Sequence, residues 1–244
     1  MNADATTPAP SFVRTCIETA VTVFYALMIA LVLRTFIIEP FKIPSGSMLP
    51  NLLIGDFLFV SKYSYGYSRY SFPFGIIPFE GRFMANDTPK RGEVVVFRNP
   101  NRDDVNYVKR IVGIPGDRVQ VKEGRLFVND QPARRTEKPY PKYFKNNGHI
   151  KSYIEQFPSG HQHEILETLG DKGAVDNTQM YTVPAGHYFM MGDNRDNSSD
   201  SRFLDQLGFV PLDHIVGRVE FIFFSHDFSD GYDVRFSRIF STVN

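Results

Sequence analysis

Two serines stand two residues apart in the stretch Phe41-Lys42-Ile43-Pro44-Ser45-Gly46-Ser47-Met48-Leu49-Pro50, just after an apolar segment. Pro44 and Pro50 restrict the backbone and push Ile43 and Leu49 toward extended conformations. Gly46 lets another backbone come close. If the segment is extended, Ser45 and Ser47 share one side, because strand side chains repeat every two residues. Taken alone, the stretch reads first as a Pro-Gly turn joining a helix to a strand. A serine becomes a useful nucleophile only when a base takes its proton. Histidine is the usual base, but none of the six has a persuasive setting. His161 and His163 fall in an irregular region; His149, His187, His214 and His226 are scattered. There is no Gly-x-Ser-x-Gly elbow, and Pro50 stands where a Ser-x-x-Lys motif starting at Ser47 needs lysine.

A lysine can serve as base if burial keeps it neutral, since desolvation disfavours the ammonium. Lys109 has the best setting. In a strand it shares a face with Tyr107 and Ile111, while Arg110 points the other way with Val108 and Val112. A surface ammonium on an edge strand is the competing explanation. A third polar cluster, Gly192 to Arg202, brings acids, amides, hydroxyls and arginines directly after an apolar strand. The EF-hand pattern fails there: counting from Asp193 or Asp196, the sixth residue is not glycine and the twelfth is not glutamate. A hydrogen-bonded network fits better, with Asp200 and Arg202 as an ion pair. A well-bonded surface loop is the plainer alternative.

These groups need elements to hold them. The apolar segment runs from Cys16, with Ala20 to Leu33 interrupted only by Thr22. With Phe36, Ile37 and Ile38 it approaches the roughly 20 residues that span a bilayer. No small-residue cleavage site follows it, which argues against a removed secretion signal. A buried core helix is the other reading, but a helix apolar on all faces needs lipid or a large core around it. Residues 15–38 are therefore expected to be a membrane anchor, preceded by a polar tail over 1–14. Arg14, Arg34 and Lys42 only weakly favour a cytoplasmic C-terminal side.

Beyond the serines, strands are expected at Leu52 to Lys62, Val94 to Phe97, Tyr107 to Gly113, Gly186 to Met191 and His214 to Phe224, with a hairpin around Lys122 to Arg125. Asn99 to Asn106 reads as a polar turn. Tyr63 to Phe83 is loop-like yet dense in aromatics, so it either folds back on the core or rests in a membrane interface. Residues 129–183 read as an irregular α+β insertion, with a short helix through Glu164 to Glu167. The 244 residues carry 23 Phe, 12 Tyr, one Cys and a formal net charge of zero. Zero net charge gives no support to a nucleic-acid partner, and a lone cysteine excludes an intrachain disulfide. No Cys/His spacing suggests a structural zinc site.

Four segments together resemble bacterial type I signal peptidases: Ile43 to Pro50, Arg91 to Phe97, Tyr107 to Asp117 and Gly192 to Arg202. The resemblance covers the core of the region from Phe41 to Arg202. It implies a serine–lysine endopeptidase that removes signal peptides from exported preproteins. Ser47 would be the nucleophile and Lys109 the general base. Ser45 would join the Ser47 N–H in the oxyanion hole, and Ser198 would orient the lysine. Asp200 and Arg202 would brace the site, with Arg110 supporting. Ser199 stands where many relatives carry a small apolar residue. The resemblance also implies no metal or cofactor, and a single-pass protein of the bacterial inner membrane with its catalytic domain outside. Its partners would be preproteins, membrane lipid and the secretion machinery nearby.

The expected architecture is thus mainly β: a single N-terminal transmembrane helix, a sheet- or barrel-like catalytic domain over 39–128 and 184–244, and the insertion at 129–183. A related Ser–Lys maturation peptidase and a non-catalytic, membrane-tethered peptide-binding module remain open at this point.

Overall fold

The computed structural model describes residues 12–36, 38–72, 79–85, 87–140, 150–227 and 233–243. The expected N-terminal tail lies largely outside the described residues, as does His149. Helix α1, Phe12–Phe36, has 25 residues, about 38 Å at 1.5 Å per residue. That exceeds a hydrocarbon core of about 30 Å. It starts and ends earlier than the expected 15–38, because Ile38 already belongs to a strand. Its apolar side chains stand exposed on all sides. Among the described residues it is the one helix long and apolar enough to cross a membrane.

The strands follow as β1 (Ile38–Lys42), β2 (Asp56–Ser61), β3 (Val94–Asn99), β4 (Arg102–Gly113), β5 (Arg118–Lys122), β6 (Arg125–Val128), β7 (Gln131–Pro132) and β8 (Arg134–Lys138). Then come β9 (Lys151–Gln156), β10 (Gln162–Glu167), β11 (Tyr181–Thr182), β12 (His187–Met191), β13 (Val210–Pro211), β14 (Ile215–Asp227) and β15 (Asp233–Val234). Among the described residues they form three antiparallel sheets. The largest runs β1-β2-β14-β3-β4-β12-β13, with β15 on β14. The others are β11-β5-β6-β7 and β10-β9-β8. The sheets stay open and do not close into a barrel.

β3 explains why the large sheet sits inside. Val94 and Val96 face a cluster with Met48, Leu58 and Ile222. Val95 and Phe97 face another with Ile111, Tyr188 and Ile215. A strand buried on both faces reads as an unbroken apolar run, and Val94 to Phe97 is such a run. A third cluster, with Val112, Val119, Leu126, Phe157 and Phe189, joins the small β5-β6 sheet to the large one.

Several sequence expectations change. Glu164 to Glu167 is not helical but lies in β10, whose ladder with β9 pairs Glu164 with Ile154 and Leu166 with Ser152. The described part of 129–183 is β-structure with no α-helix. Its first and last strands, β7 and β11, pair with β6 and β5. Sheet membership therefore crosses the expected boundaries at 129 and 183. The polar stretch before Asn106 is strand from Arg102, paired through Asn99. β2 begins at Asp56 rather than Leu52.

Several of the described aromatic residues fold back on the protein, while Tyr63 and Phe83 stay exposed. Tyr65 is buried, Tyr67 stacks on Phe83 at 5.3 Å, and Phe36 at the end of α1 meets Tyr67 and Phe72. The junction between helix and sheet is also bonded. Tyr67 Oη donates to the Phe36 carbonyl at 2.5 Å. Lys62, buried, pairs with Glu39 at 2.7 Å and donates to the Ser71 carbonyl at 2.6 Å.

Candidate active site

The serine segment is a turn rather than a strand. Leu49 N–H donates to the Gly46 carbonyl at 3.2 Å and Leu52 N–H to the Met48 carbonyl at 2.9 Å. Ile43 and Met48 on either side of the serines are buried in the core, at 3% and 1% exposure. These two apolar anchors hold the polar turn at the surface. Ser45 and Ser47 still face one another, with hydroxyl oxygens 3.5 Å apart. The reason is the turn rather than strand alternation.

Lys109 is buried on β4, whose C-terminal part lies between β3 and β12, so a surface ammonium does not describe it. It is 2% exposed. Its amine lies 5.7 Å from the Tyr107 ring on the same strand face. Nζ is 2.5 Å from Ser47 Oγ, closing a gap of 62 residues in sequence. Burial drives the amine down to about 8, against the opposing pull of the Asp200 and Asp193 carboxylates. The amine therefore gives up its proton far more readily than a free lysine does.

The loop after β12 supports both groups. Asp200 and Arg202 form the expected ion pair, with Nε and Nη2 at 2.8 and 2.9 Å from the two carboxylate oxygens. Burial pushes the Asp200 carboxyl up, but the Arg202 guanidinium outweighs it and holds it below its usual range. Asp200 also accepts Gly192 N–H at 3.0 Å. Arg110 is fully buried and pairs with Asp193 through two bonds of 2.8 and 2.7 Å. Removing one partner of a buried pair typically costs about 3–5 kcal/mol.

Two residues that sequence reasoning left without a role hold the serine in place. Asn194 N–H donates to the Ser47 carbonyl at 3.1 Å, and its side-chain amide donates to the Gly46 carbonyl at 3.0 Å. Gly192 is the point of closest approach. A Cβ there would lie 2.5 Å from the Ser47 carbonyl and 2.2 Å from Ser198 Oγ. Only their position in the polar loop after an apolar strand hinted at either. Ser198 is buried beside Gly192, and its Oγ has no hydrogen-bond partner. The expected bond from Ser198 to Lys109 is therefore not formed in this structure.

Ser45, Ser47 and Lys109 line a cleft of about 540 Å³ whose walls are residues 41–48 and 105–109. β12 pairs with β4 only from Arg110 to Gly113. Residues 106–109 are thus paired on one side, to β3, and among the described residues keep a free edge. A free strand edge can take up an extended peptide by backbone hydrogen bonds. A neutral amine on a hydroxyl beside such an edge is suited to acyl transfer from a peptide.

The family model described as "Signal peptidase, peptidase S26" matches residues 16–224. The signal peptidase I of Rickettsia typhi is 42% identical over 210 residues, covering 82% of this chain and 77% of that protein. That of Rickettsia conorii is 41% identical over the same length and coverage. A crystal structure of a signal peptidase I from Enterococcus faecalis V583 aligns with a TM-score of 0.32 and 27% identity, covering 54% of this chain and 97% of that one.

Proposed function

This chain belongs to the signal peptidase family, peptidase S26, and we propose that within it Ser47 is the nucleophile and Lys109 the general base. The chain is a serine endopeptidase that removes signal peptides from preproteins. The observation that carries the residue assignment is the 2.5 Å contact between Lys109 Nζ and Ser47 Oγ, with the lysine buried.

Neutral Lys109 accepts the hydroxyl proton as Ser47 Oγ attacks the scissile carbonyl. Charge develops on the carbonyl oxygen, where the Ser47 N–H and the Ser45 hydroxyl act as donors. Lys109 then returns the proton to the leaving amine, giving an acyl-serine. Water, activated by the same amine, releases the signal peptide. Ser198 orients the lysine once substrate fills the cleft; catalytic hydrogen bonds often tighten only in the loaded site. Asp200, Arg202 and Arg110 hold the surrounding backbone and set the local charge.

The helix anchors the protein in a membrane. The finer assignment is the bacterial inner membrane, with the catalytic domain on its outer side, where exported preproteins emerge near the secretion machinery. Lipid is a further partner. Phe57, Phe59, Phe221 and Phe223 form a partly exposed ring cluster on β2 and β14, a composition suited to an interface. A substrate tethered by its own apolar segment then meets the anchored site at raised effective concentration.

The test is incubation of the purified protein with a preprotein, followed by sequencing of the new N-terminus. Cleavage at the signal-peptide boundary is expected, and no cleavage in Ser47→Ala. Turnover surviving in Ser47→Ala overturns the assignment of the nucleophile.

A further inference from the structure

Three carboxylates from separate segments meet beside the catalytic loop. Glu167 ends β10, Asp176 lies in the loop that follows, and Asp196 belongs to the short 3-10 turn Arg195–Asn197. One oxygen from each lies within 4.8 Å of the other two. Glu167 is 1% exposed and its Oε2 has no hydrogen-bond partner. Its Oε1 reaches Arg135 only at 3.4 Å. Asp196 Oδ2 accepts the Thr168 and Leu169 amides at 2.8 and 2.7 Å, while its buried Oδ1 is left without a donor. Two orphaned, buried carboxylate oxygens in one cluster are costly.

The neighbouring arginines do not fill that need. Arg135 is turned to Asp171 with bonds of 2.6 and 2.8 Å, and Arg195 to Glu155. The buried Nε atoms of both arginines lack partners, so neither donates to the orphaned oxygens. Gly173 packs its backbone against the cluster, and its N–H donates to Asp176 Oδ2 at 2.5 Å. A Cβ on Gly173 would lie 2.2 Å from Asp196 Oδ1 and 3.1 Å from Asp176 Oδ2.

We propose that Glu167, Asp176 and Asp196 bind a divalent cation, calcium, which ties the 168–176 loop to the segment that grips Ser47. The donors are all hard oxygens, with no nitrogen or sulfur ligand, which suits calcium or magnesium over transition metals. Calcium accepts oxygen ligands at about 2.3–2.6 Å in flexible geometry, so oxygens within 4.8 Å of one another can share it, whereas magnesium demands a tighter octahedron. The cation is structural and takes no part in the peptidase chemistry, for which the sequence led us to expect no metal. Its reach to the site is short: Asp196 is two residues from Asn194, which holds the Gly46 and Ser47 carbonyls. A competing occupant of the same charge deficit is a proton shared between Glu167 and a neighbouring carboxylate.

The experiment uses the full chain in zwitterionic detergent, stripped with chelator and titrated with calcium chloride while thermal unfolding is followed. Saturating calcium is expected to raise the midpoint by about 5 °C. Terbium is expected to bind with sensitised luminescence that calcium displaces. In Glu167→Gln and Asp196→Asn the calcium-dependent shift is expected to vanish, whatever their midpoints without metal. An unchanged wild-type midpoint up to millimolar calcium, with no displaceable terbium, overturns the proposal in favour of the shared proton. A calcium shift that persists in both variants overturns it by placing the cation elsewhere. None of these readings depends on peptidase activity.

Discussion

Asp200 binds Arg202 through both carboxylate oxygens, and the two charges act in opposite senses on Lys109: the carboxylate raises the lysine's proton affinity and the guanidinium lowers it. Asp200→Asn removes the first influence and leaves the second. The Lys109 amine then deprotonates more readily. The acid limb of kcat/KM is expected to move to lower pH by about one unit. The same change strands the buried Arg202 charge, so the unfolding free energy should fall by about 3–5 kcal/mol. A pH–rate profile with denaturant unfolding checks both. A limb that moves to higher pH contradicts the electrostatic assignment.

In the wild-type protein the base must be neutral to accept a proton. Burial lowers the Lys109 amine from its ordinary range to about 8. Activity should therefore rise with pH through that value. Well below it, kcat/KM should fall about tenfold per pH unit. Measuring kcat/KM on a peptide spanning a signal-peptide junction tests this. A profile flat from pH 6 to 9 would be incompatible with a lysine base.

Gly192→Ala tests the grip on the serine. The added methyl would stand 2.5 Å from the Ser47 carbonyl and 2.2 Å from Ser198 Oγ. The Ser198 hydroxyl can rotate, but the Ser47 oxygen is backbone, so the serine turn must shift. A misplacement near 1 Å can cost about 10²-fold in rate. The expected result is a loss of about that size in kcat from a variant that still folds and still buries Met48. Wild-type turnover would show that the turn is held from elsewhere.

Ser198→Ala separates a structural from a catalytic role. The hydroxyl is buried without a partner, so its removal should leave stability unchanged or raise it by up to about 1 kcal/mol. If it orients Lys109 in the loaded site, kcat should drop by at least about tenfold with little change in KM. Equal kcat in the two proteins removes Ser198 from the mechanism.

Local chemistry made some of this legible in the sequence. Val94 to Phe97 announced a strand buried on both faces, and the spacing of Tyr107 and Lys109 put them on one face before any contact was known. The long apolar helix was equally plain from its composition. Less was available where long-range pairing decides the outcome. Glu164 to Glu167 has the makings of a helical turn, yet the ladder with β9 makes it strand. Arg102 to Asn106 is polar because one edge of β4 is open there, and polarity alone reads as a turn. The role of Asn194 is invisible in sequence because it acts through backbone carbonyls 148 residues away. The hydroxyl pair was foreseen, but from strand alternation, where the structure uses a turn pinned by Ile43 and Met48.

The Lys62–Glu39 pair, with Tyr67 on the Phe36 carbonyl at the end of α1, fastens the helix to the sheet. A helix longer than the local hydrocarbon layer tilts to fit it. Tilting α1 by itself would break those contacts. On the proposed membrane placement, the sheet would lean with the helix and the mouth of the cleft would change its height above the headgroups. The thickness of the host bilayer would then help set how far beyond the membrane surface a tethered preprotein must extend before its cleavage site reaches the proposed nucleophile, Ser47.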